Sequence, residues 1–325
     1  MRRLKDQISG VLILALATTL FVAGLSHLVG DVAGQYISTQ LRSLDSVRPH
    51  LIPVAILLSG LTALLGYWRL SLGAGGVSGI IAISLIMDYQ NRSDPGAGDP
   101  ALRVLWFNMQ TSNPVAPAAL VNALRQTNAD IIVLAESRPA IGLPALMSDT
   151  HPHRLGCETR ETCGLLLLSR HPLKQPRIRQ LTTRTERFLR ARVDLPGRDA
   201  KLHLIATHLI KPWVYGFSER EEQTLHWAIA NADNPAPTIL MGDFNAAPWS
   251  RRMRDITGRF KFRHAKRPVA TWPVQAGPWG VPIDHILVRG EAAIASLIPW
   301  GSELGSNHLG LIADIALAPQ TSKAP

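Results

Sequence analysis

The chain has 325 residues, 46% of them hydrophobic, and a formal net charge of +10 at pH 7. That length holds one large domain and something more, and the lack of an internal repeat or low-complexity tract excludes a repeat architecture. The basic balance points to an anionic surface or substrate, such as acidic lipid head groups, phosphates or nucleic acid, beside the plainer reading of a solvated basic surface.

The first element is apolar. Ile8–Val29 runs 22 residues without a charge, about 33 Å as a helix at ~1.5 Å per residue, enough to span a bilayer. Leu51–Trp68 is also uncharged, and so is Leu70–Met87, although Gly73, Gly75, Gly76 and Gly79 weaken it. As one helix, residues 51–87 would run about 55 Å, too long for one crossing, so two crossings joined near Arg69 are expected. The G-x-x-x-G at Gly75–Gly79 would let two membrane helices approach closely. The prediction is therefore an anchor over residues 1–90 with three transmembrane helices, at about 8–29, 51–68 and 70–87, in contact with membrane lipids. A signal peptide competes for the first run, but that run exceeds an ordinary h-region and the other two also need a home. Arg2, Arg3 and Lys5 place the N-terminus in the cytoplasm, with Arg69 on the same side. Three crossings make a multi-pass cell-membrane protein with everything after Met87 outside the cytoplasm. If the Gly-rich run does not cross, the orientation inverts.

Residues 91–100 form a turn-rich polar linker. A domain over 101–319 and a tail over 320–325 follow. In chain order, strands are expected to end at Asn108 and Glu136, with a helix over 117–127 between them. Further strands are expected at 164–169, 189–193 and 202–207. A helix over 218–231 takes Ser218 as N-cap with Glu221 three residues later. Strands at 238–242, 283–288 and 311–317 finish the domain. Short strands with few helices suit a mixed-sheet α/β sandwich rather than a doubly wound parallel sheet. The only cysteines, Cys157 and Cys163, have a spacing that allows a small disulfide loop. Free thiols, or a zinc site with His151 and His153, are the other readings.

Polar residues sit where apolar runs stop or start. LRVLWF leads to Asn108, ADIIVLA to Glu136, KLHLIAT to His208, and TILMG to Asp243-Phe244-Asn245. Asp284 opens the run DHILVR, and Ser306-Asn307-His308 precedes LGLIADIAL. Ends of some strands and starts of their antiparallel neighbours share one rim of a sheet. Glu136, at the end of a buried strand, must be paired, bound to metal or open to water. Asn108 can add a carbonyl oxygen, and magnesium favours such oxygen ligands. Asp243 could orient or deprotonate a water, and Asn245 could hydrogen-bond a phosphoryl oxygen. His208 and His308 suit acid/base work or phosphate binding, with Asp284 placed to fix the His308 tautomer.

Together the stretches WFNMQ (106–110), DIIVLAE (130–136), GLLLLSRHPL (164–173), ATHL (206–209), GDFN (242–245), PIDHILV (282–288) and GSNHL (305–309) resemble the endonuclease/exonuclease/phosphatase family, in the family's order. The layout is most similar to its bacterial membrane-anchored members. The resemblance implies a four-layer α/β sandwich with two central mixed sheets. It also implies hydrolysis of a phosphoester dependent on Mg2+ (or Mn2+). By that similarity Glu136 is the main metal ligand with Asn108 beside it, and Asp243 handles the nucleophilic water. Asn245 and His208 bind the substrate phosphate, and Asp284–His308 stabilises developing charge. Where the family carries Ser-Asp-His, this chain has Ser306-Asn307-His308, which removes a negative charge from any second metal site at Asn307. The leading expectation is a membrane-anchored phosphodiesterase or phosphomonoesterase acting on a lipid head group or another anionic phosphate. A nuclease is the alternative, since Arg177–Arg192 and Arg251–Arg267 suit a nucleic-acid backbone as well as an anionic bilayer. Trp213, Tyr215 and Phe217 could stack on bases or dip into a membrane interface. A non-catalytic binding protein on the same fold is the third reading. The sequence leaves the oligomeric state open.

Overall fold

The computed structural model describes residues 2–32, 42–96, 98–197, 202–214, 216–231 and 236–318; Tyr215 and the tail at 320–325 lie outside them. The chain divides into two units, Met1–Asn91 with Ala247–Arg254, and Arg92–Ala246 with Asp255–Pro325.

The first unit contains three apolar helices, α1 (Arg2–Val32), α2 (Arg48–Leu64) and α3 (Trp68–Asn91). Of the three expected spans, two have the length and composition for a crossing: Arg3–Ser26 within α1, and α3 itself, each 24 residues. At 17 residues, α2 extends only about 26 Å against a hydrocarbon core of about 30 Å. The turn between α2 and α3 falls just before Arg69, where Gly66 adopts φ 99°, a left-handed conformation open to glycine. Among the described residues nothing lies against the expected glycine pair: a Cβ at Gly75 or Gly79 would meet nothing within 4 Å. Within the chain α3 buries Ser71, Ala74, Ser78, Leu85 and Tyr89, and the Ser71 hydroxyl is 2.9 Å from that of Thr62 on α2. Leu64 is 84% exposed and Ile80 70% exposed. Within this unit the segment 247–254 is tied to the helices' loop: the Ala247 N–H donates to Ser46 Oγ (3.0 Å) and the Trp249 indole N–H to the Ser46 carbonyl (3.0 Å).

The second unit is an α/β sandwich with two mixed sheets. The strands are β1 (Pro100–Asn108), β2 (Ile131–Ala135), β3 (His153–Leu155), β4 (Leu165–Ser169), β5 (Leu173–Gln180), β6 (Glu186–Val193), β7 (Leu202–His208), β8 (Thr238–Asp243), β9 (Asp284–Arg289), β10 (Ala292–Trp300) and β11 (Gly310–Leu317). One sheet has the order β10-β11-β1-β2-β4-β3 and the other β5-β6-β7-β8-β9. Alternation places Val104 and Trp106 of β1, Leu204 and Ala206 of β7, and Met241 of β8 in one core between the sheets. Leu105 and Phe107 face the other way, against Leu120 and Leu124 of α4 (Pro117–Gln126).

Each sheet contains one parallel pair, β1 with β2 and β7 with β8, and all its other pairs are antiparallel. A parallel pair needs a helical crossover, supplied by α4 and by α5 (Phe217–Ala230). The crossovers bring the C-terminal ends of both strands in a pair to the same rim. Gly242 makes the β7–β8 approach possible, since a Cβ there would lie 2.2 Å from the Thr207 carbonyl oxygen.

Some local expectations shift. Helix α5 is preceded by Gly216, whose N–H donates to Glu219 Oε2 at 2.9 Å. Ser218 and Glu221 are instead fully buried. Strands β3, β5 and β10 and helix α6 (Arg251–Phe260) add to the expected elements. β3 is short and β5 and α6 are charge-rich, so neighbouring elements rather than an apolar period specify them; β10, AAIASLIPW, is apolar and is simply not among the expected strands. Cys157 and Cys163 are disulfide-bonded. His151 is occupied elsewhere, with Nε2 3.0 Å from the Ala129 carbonyl.

Candidate functional site

The rim gathers the expected residues. Asn108 ends β1, and Glu136 follows β2, which pairs with β1 so that Asn108 stands opposite Ala135. On the second sheet His208 ends β7 opposite Asp243, which ends β8 opposite Asp284 of β9. His308 precedes β11, the antiparallel neighbour of β1.

Asp243 Oδ2 is the centre of the arrangement. It accepts the Asn108 Nδ2 hydrogen bond (3.0 Å) and lies 3.6 Å from His208 Nε2 and 4.0 Å from His308 Nε2. Its other oxygen accepts the Asn245 N–H (2.8 Å). The Asn245 side chain donates to the Leu209 carbonyl (2.8 Å), so its carboxamide is held at the rim. His208 Nε2 also lies 4.0 Å from Glu136 Oε1. Asp284 is fixed from both sides: the Trp106 indole N–H donates to Oδ1 (2.8 Å), and Oδ2 sits 2.9 Å from His308 Nδ1. The Asp284 N–H in turn donates to Thr271 Oγ1 (3.2 Å). Ser306 Oγ donates to the Asn108 carbonyl (2.7 Å) and receives the His308 N–H (3.0 Å), which ties the end of β1 to the segment that precedes β11.

Electrostatics separate the two histidines. Burial pushes His208 well below the ordinary imidazole value, and the charges of Arg187, His308 and Lys211 act in the same direction. Burial also opposes charge on His308, but the Asp284 charge and hydrogen bond, with Asp243 and Glu136, outweigh it and raise this imidazole to about 9. Burial and then the Asp284 charge raise Asp243 to about 7. The rim thus holds one neutral and one cationic imidazole around a single carboxylate oxygen.

Three rim residues adopt strained backbone. Gln110, Glu136 and Asn245 have φ of 63°, 52° and 49°, a region that side-chain-bearing residues rarely adopt. Sequence reasoning missed several supporting residues. Thr111 donates its N–H and hydroxyl to Glu136 Oε2 (2.7 and 2.9 Å). The Gln110 side chain accepts the Asn307 N–H (3.1 Å), and Val274 donates to the Asn307 carbonyl (2.9 Å). Asn307 is therefore held by its backbone, and its side chain makes no hydrogen bond among the described residues. Arg187 of β6 is the largest omission. Its Nε is buried without a hydrogen bond, 3.8 Å from Oε1 of the buried Glu221, and Asp243 and Glu136 act on its charge. The run RFLRARV gave no sign that this arginine, rather than its neighbours, turns inward.

Two donor sets suit a cation. Ligand atoms of Asp243, Asp284 and His308 all lie within 4.8 Å of one another. Both Asp284 oxygens, however, are committed to Trp106 and His308, and a metal there would break the pair. Glu136 commits only Oε2, and its side chain is 31% exposed. It is the rim carboxylate with an oxygen left for a hard cation.

The sequence pattern of the Endonuclease/Exonuclease/phosphatase family matches residues 105–308. Comparison with curated proteins gives no match. Solved structures are similar in fold. An endonuclease/exonuclease/phosphatase from Beutenbergia cavernae DSM 12333 is 19% identical at a TM-score of 0.55, over 67% of this chain and 72% of that one. D. rerio TDP2, complexed with single strand DNA product, is 17% identical at 0.53, over 66% and 98%. Sphingomyelinase C from Streptomyces griseocarneus is 18% identical at 0.50, over 66% and 99%. The matched span covers more than half of the chain, opens on β1 and closes on the histidine paired with Asp284, so this chain belongs to the endonuclease/exonuclease/phosphatase family, whose members are metal-dependent hydrolases of phosphoester bonds.

Proposed function

We propose that this chain is a membrane-anchored phosphoesterase that hydrolyses an anionic phosphoester, on a lipid head group in preference to nucleic acid, outside the cytoplasm. The observation that carries the chemistry is the Asp243 carboxylate oxygen flanked by Asn108 and two imidazoles. Asp243 orients the attacking water and takes its proton. His208 and Asn245 hold the phosphoryl oxygens. His308, kept in one tautomer by Asp284, stabilises the negative charge that develops on phosphorus-bound oxygen. Glu136 and Asn108 would hold Mg2+ or Mn2+, which supplies Lewis-acid neutralisation of the phosphoryl group when bound.

The anchor reading rests on the exposed aliphatic surface of α1 and α3, each long enough to cross a bilayer. The basic N-terminus and the Cys157–Cys163 disulfide support an external site, since disulfides persist in oxidising compartments. Incubating the full chain in detergent with magnesium on lipid phosphodiesters, phosphomonoesters and DNA tests the reading. Lipid substrates should turn over fastest, and activity should vanish in excess chelator. Faster cleavage of DNA would instead establish the nuclease reading, for which the DNA-product complex of the structurally similar TDP2 gives the precedent.

A further inference from the structure

The outer face of the second sheet carries a cleft of about 590 Å³, remote from the rim. Arg190 and Arg192 of β6, His203 of β7 and Arg177 of β5 line it, with Ala228 of α5 closing one side. Strand parity explains the arrangement. Leu189, Ala191 and Val193 face the inter-sheet core, so Arg190 and Arg192 point outward. His203 is outward by the same rule. His208 shares the parity of the core-facing Leu204 and Ala206 and lies five residues along β7, about 17 Å at ~3.3 Å per residue.

The ladder sets Arg177 directly opposite Arg190, and Lys174 opposite Arg192. Like charges in opposed positions destabilise a strand pair. Among the described residues no carboxylate forms an ion pair with Arg177 or Arg190. The Arg190 guanidinium instead lies over the Trp227 ring, 5.8 Å from its centroid. Stacking of this kind leaves the in-plane N–H groups of a guanidinium available to an acceptor.

We propose that this cleft is a second anion site, for a compact anion bearing two or more phosphate groups. Guanidinium forks match phosphate oxygens in bidentate geometry. Arg177 and Arg190 bring two positive charges to one point of the ladder, and an anion with two phosphate groups carries more negative charge to meet them than a single phosphate does. The cleft volume falls in the range of small-ligand sites, and its concavity admits a head group or a free anion but not a flat bilayer.

The test is calorimetric titration of inorganic pyrophosphate into the full-length chain in detergent with excess chelator. Saturable binding is expected, tighter than for orthophosphate. Arg177→Ala and Arg190→Ala should each weaken it about tenfold or more, the scale of a lost charge-assisted hydrogen bond, while phosphoester hydrolysis in magnesium stays unchanged. Arg190→Lys keeps the charge, should lose part of the affinity, and guards against a folding artefact. No binding to the parent protein, or unaltered binding in all three variants, overturns the proposal. Binding that survives the arginine variants but disappears in His208→Ala places the anion at the rim and overturns it too. A soluble anion and a lipid head group share this chemistry. Displacement of pyrophosphate by micelles containing a lipid with a phosphomonoester on its head group would support the lipid source, and failure to displace it would support the soluble one.

Discussion

Ala55, Thr62 and Ser78 of the helical unit are almost fully buried, while Leu14, Leu64 and Ile80 stand well exposed. In the sandwich Leu105, Ile132 and Leu204 are fully buried, and Arg177 and Arg179 of β5 are exposed. The two units apply opposite rules to the same amino acids. In water the hydrophobic effect draws Leu and Ile inward. In a bilayer it gives no reason to bury them, and small or hydroxyl-bearing residues let helices approach and bond. The inversion is what the proposed membrane anchor expects of the first unit and a water-facing fold expects of the second. It also explains why polar groups are costly at the sandwich interior and therefore collect at the rim, where their partners are arranged.

The largest effects should come from breaking the polar rim. His308→Ala and Asp284→Asn should each lower the rate on the order of 10²–10⁴. The double variant should lose much less than the product, since the two residues act as a unit; multiplicative losses in a kinetic cycle would separate them. Next comes Arg187→Ala, expected to lower kcat on the order of 10² by removing charge stabilisation at the rim. Arg187→Lys should recover part of this if charge rather than packing matters.

The helical unit is tested by the opposite substitution. Ile80→Asp should cost about 2.5–3.5 kcal/mol of membrane insertion, read as the fraction of chain recovered in membranes. In a water-facing helix the same change would fall within about ±0.5 kcal/mol, and full insertion would remove the contrast between the units. A smaller, graded effect concerns His308. Its folded value of about 9 lies above the ordinary 6.5, so its stabilisation is fully present below about pH 6.5 and is lost as pH rises through 9. The window corresponds to roughly 3 kcal/mol at 1.36 kcal/mol per unit. Thermal melts from pH 6 to 10 should decline across it, and His308→Gln should flatten the slope. The smallest expected change is Asn307→Asp, which should tighten a weak second magnesium site if position 307 faces it. Calorimetry giving equal stoichiometry and affinity would exclude that.

The legible parts of the molecule were those where one strand carries its own message. The apolar runs ending at Asn108, Glu136, His208 and Asp243 marked strands and the residues that meet at their ends, because burial on both faces demands uninterrupted apolar residues. The partners were not legible, because long-range pairing supplies them. Nothing near Trp106 in the chain announces that its indole will hold Asp284, 178 residues away. Thr271, in a loop, gives no periodic signal, and Arg187 looks like its surface neighbours Arg190 and Arg192. Glu221 fits a capping motif by its spacing from Ser218. The structure buries it instead, where it accepts hydrogen bonds from the Thr182 hydroxyl and the Ile210 N–H.

The chain leaves the sandwich unit immediately after Asn245-Ala246 and returns at Asp255. Between these points Ala247 and Trp249 spend their backbone and indole N–H groups on Ser46, two hundred residues upstream. Cutting the chain within residues 91–100 would therefore also remove the partner of a segment that begins two residues after Asn245, the proposed phosphate ligand. If the helical unit is the proposed membrane anchor, shedding the enzyme would be a chemical event as well as a change of address. Its solubilised form should be a poorer catalyst even toward substrates that never touch a lipid.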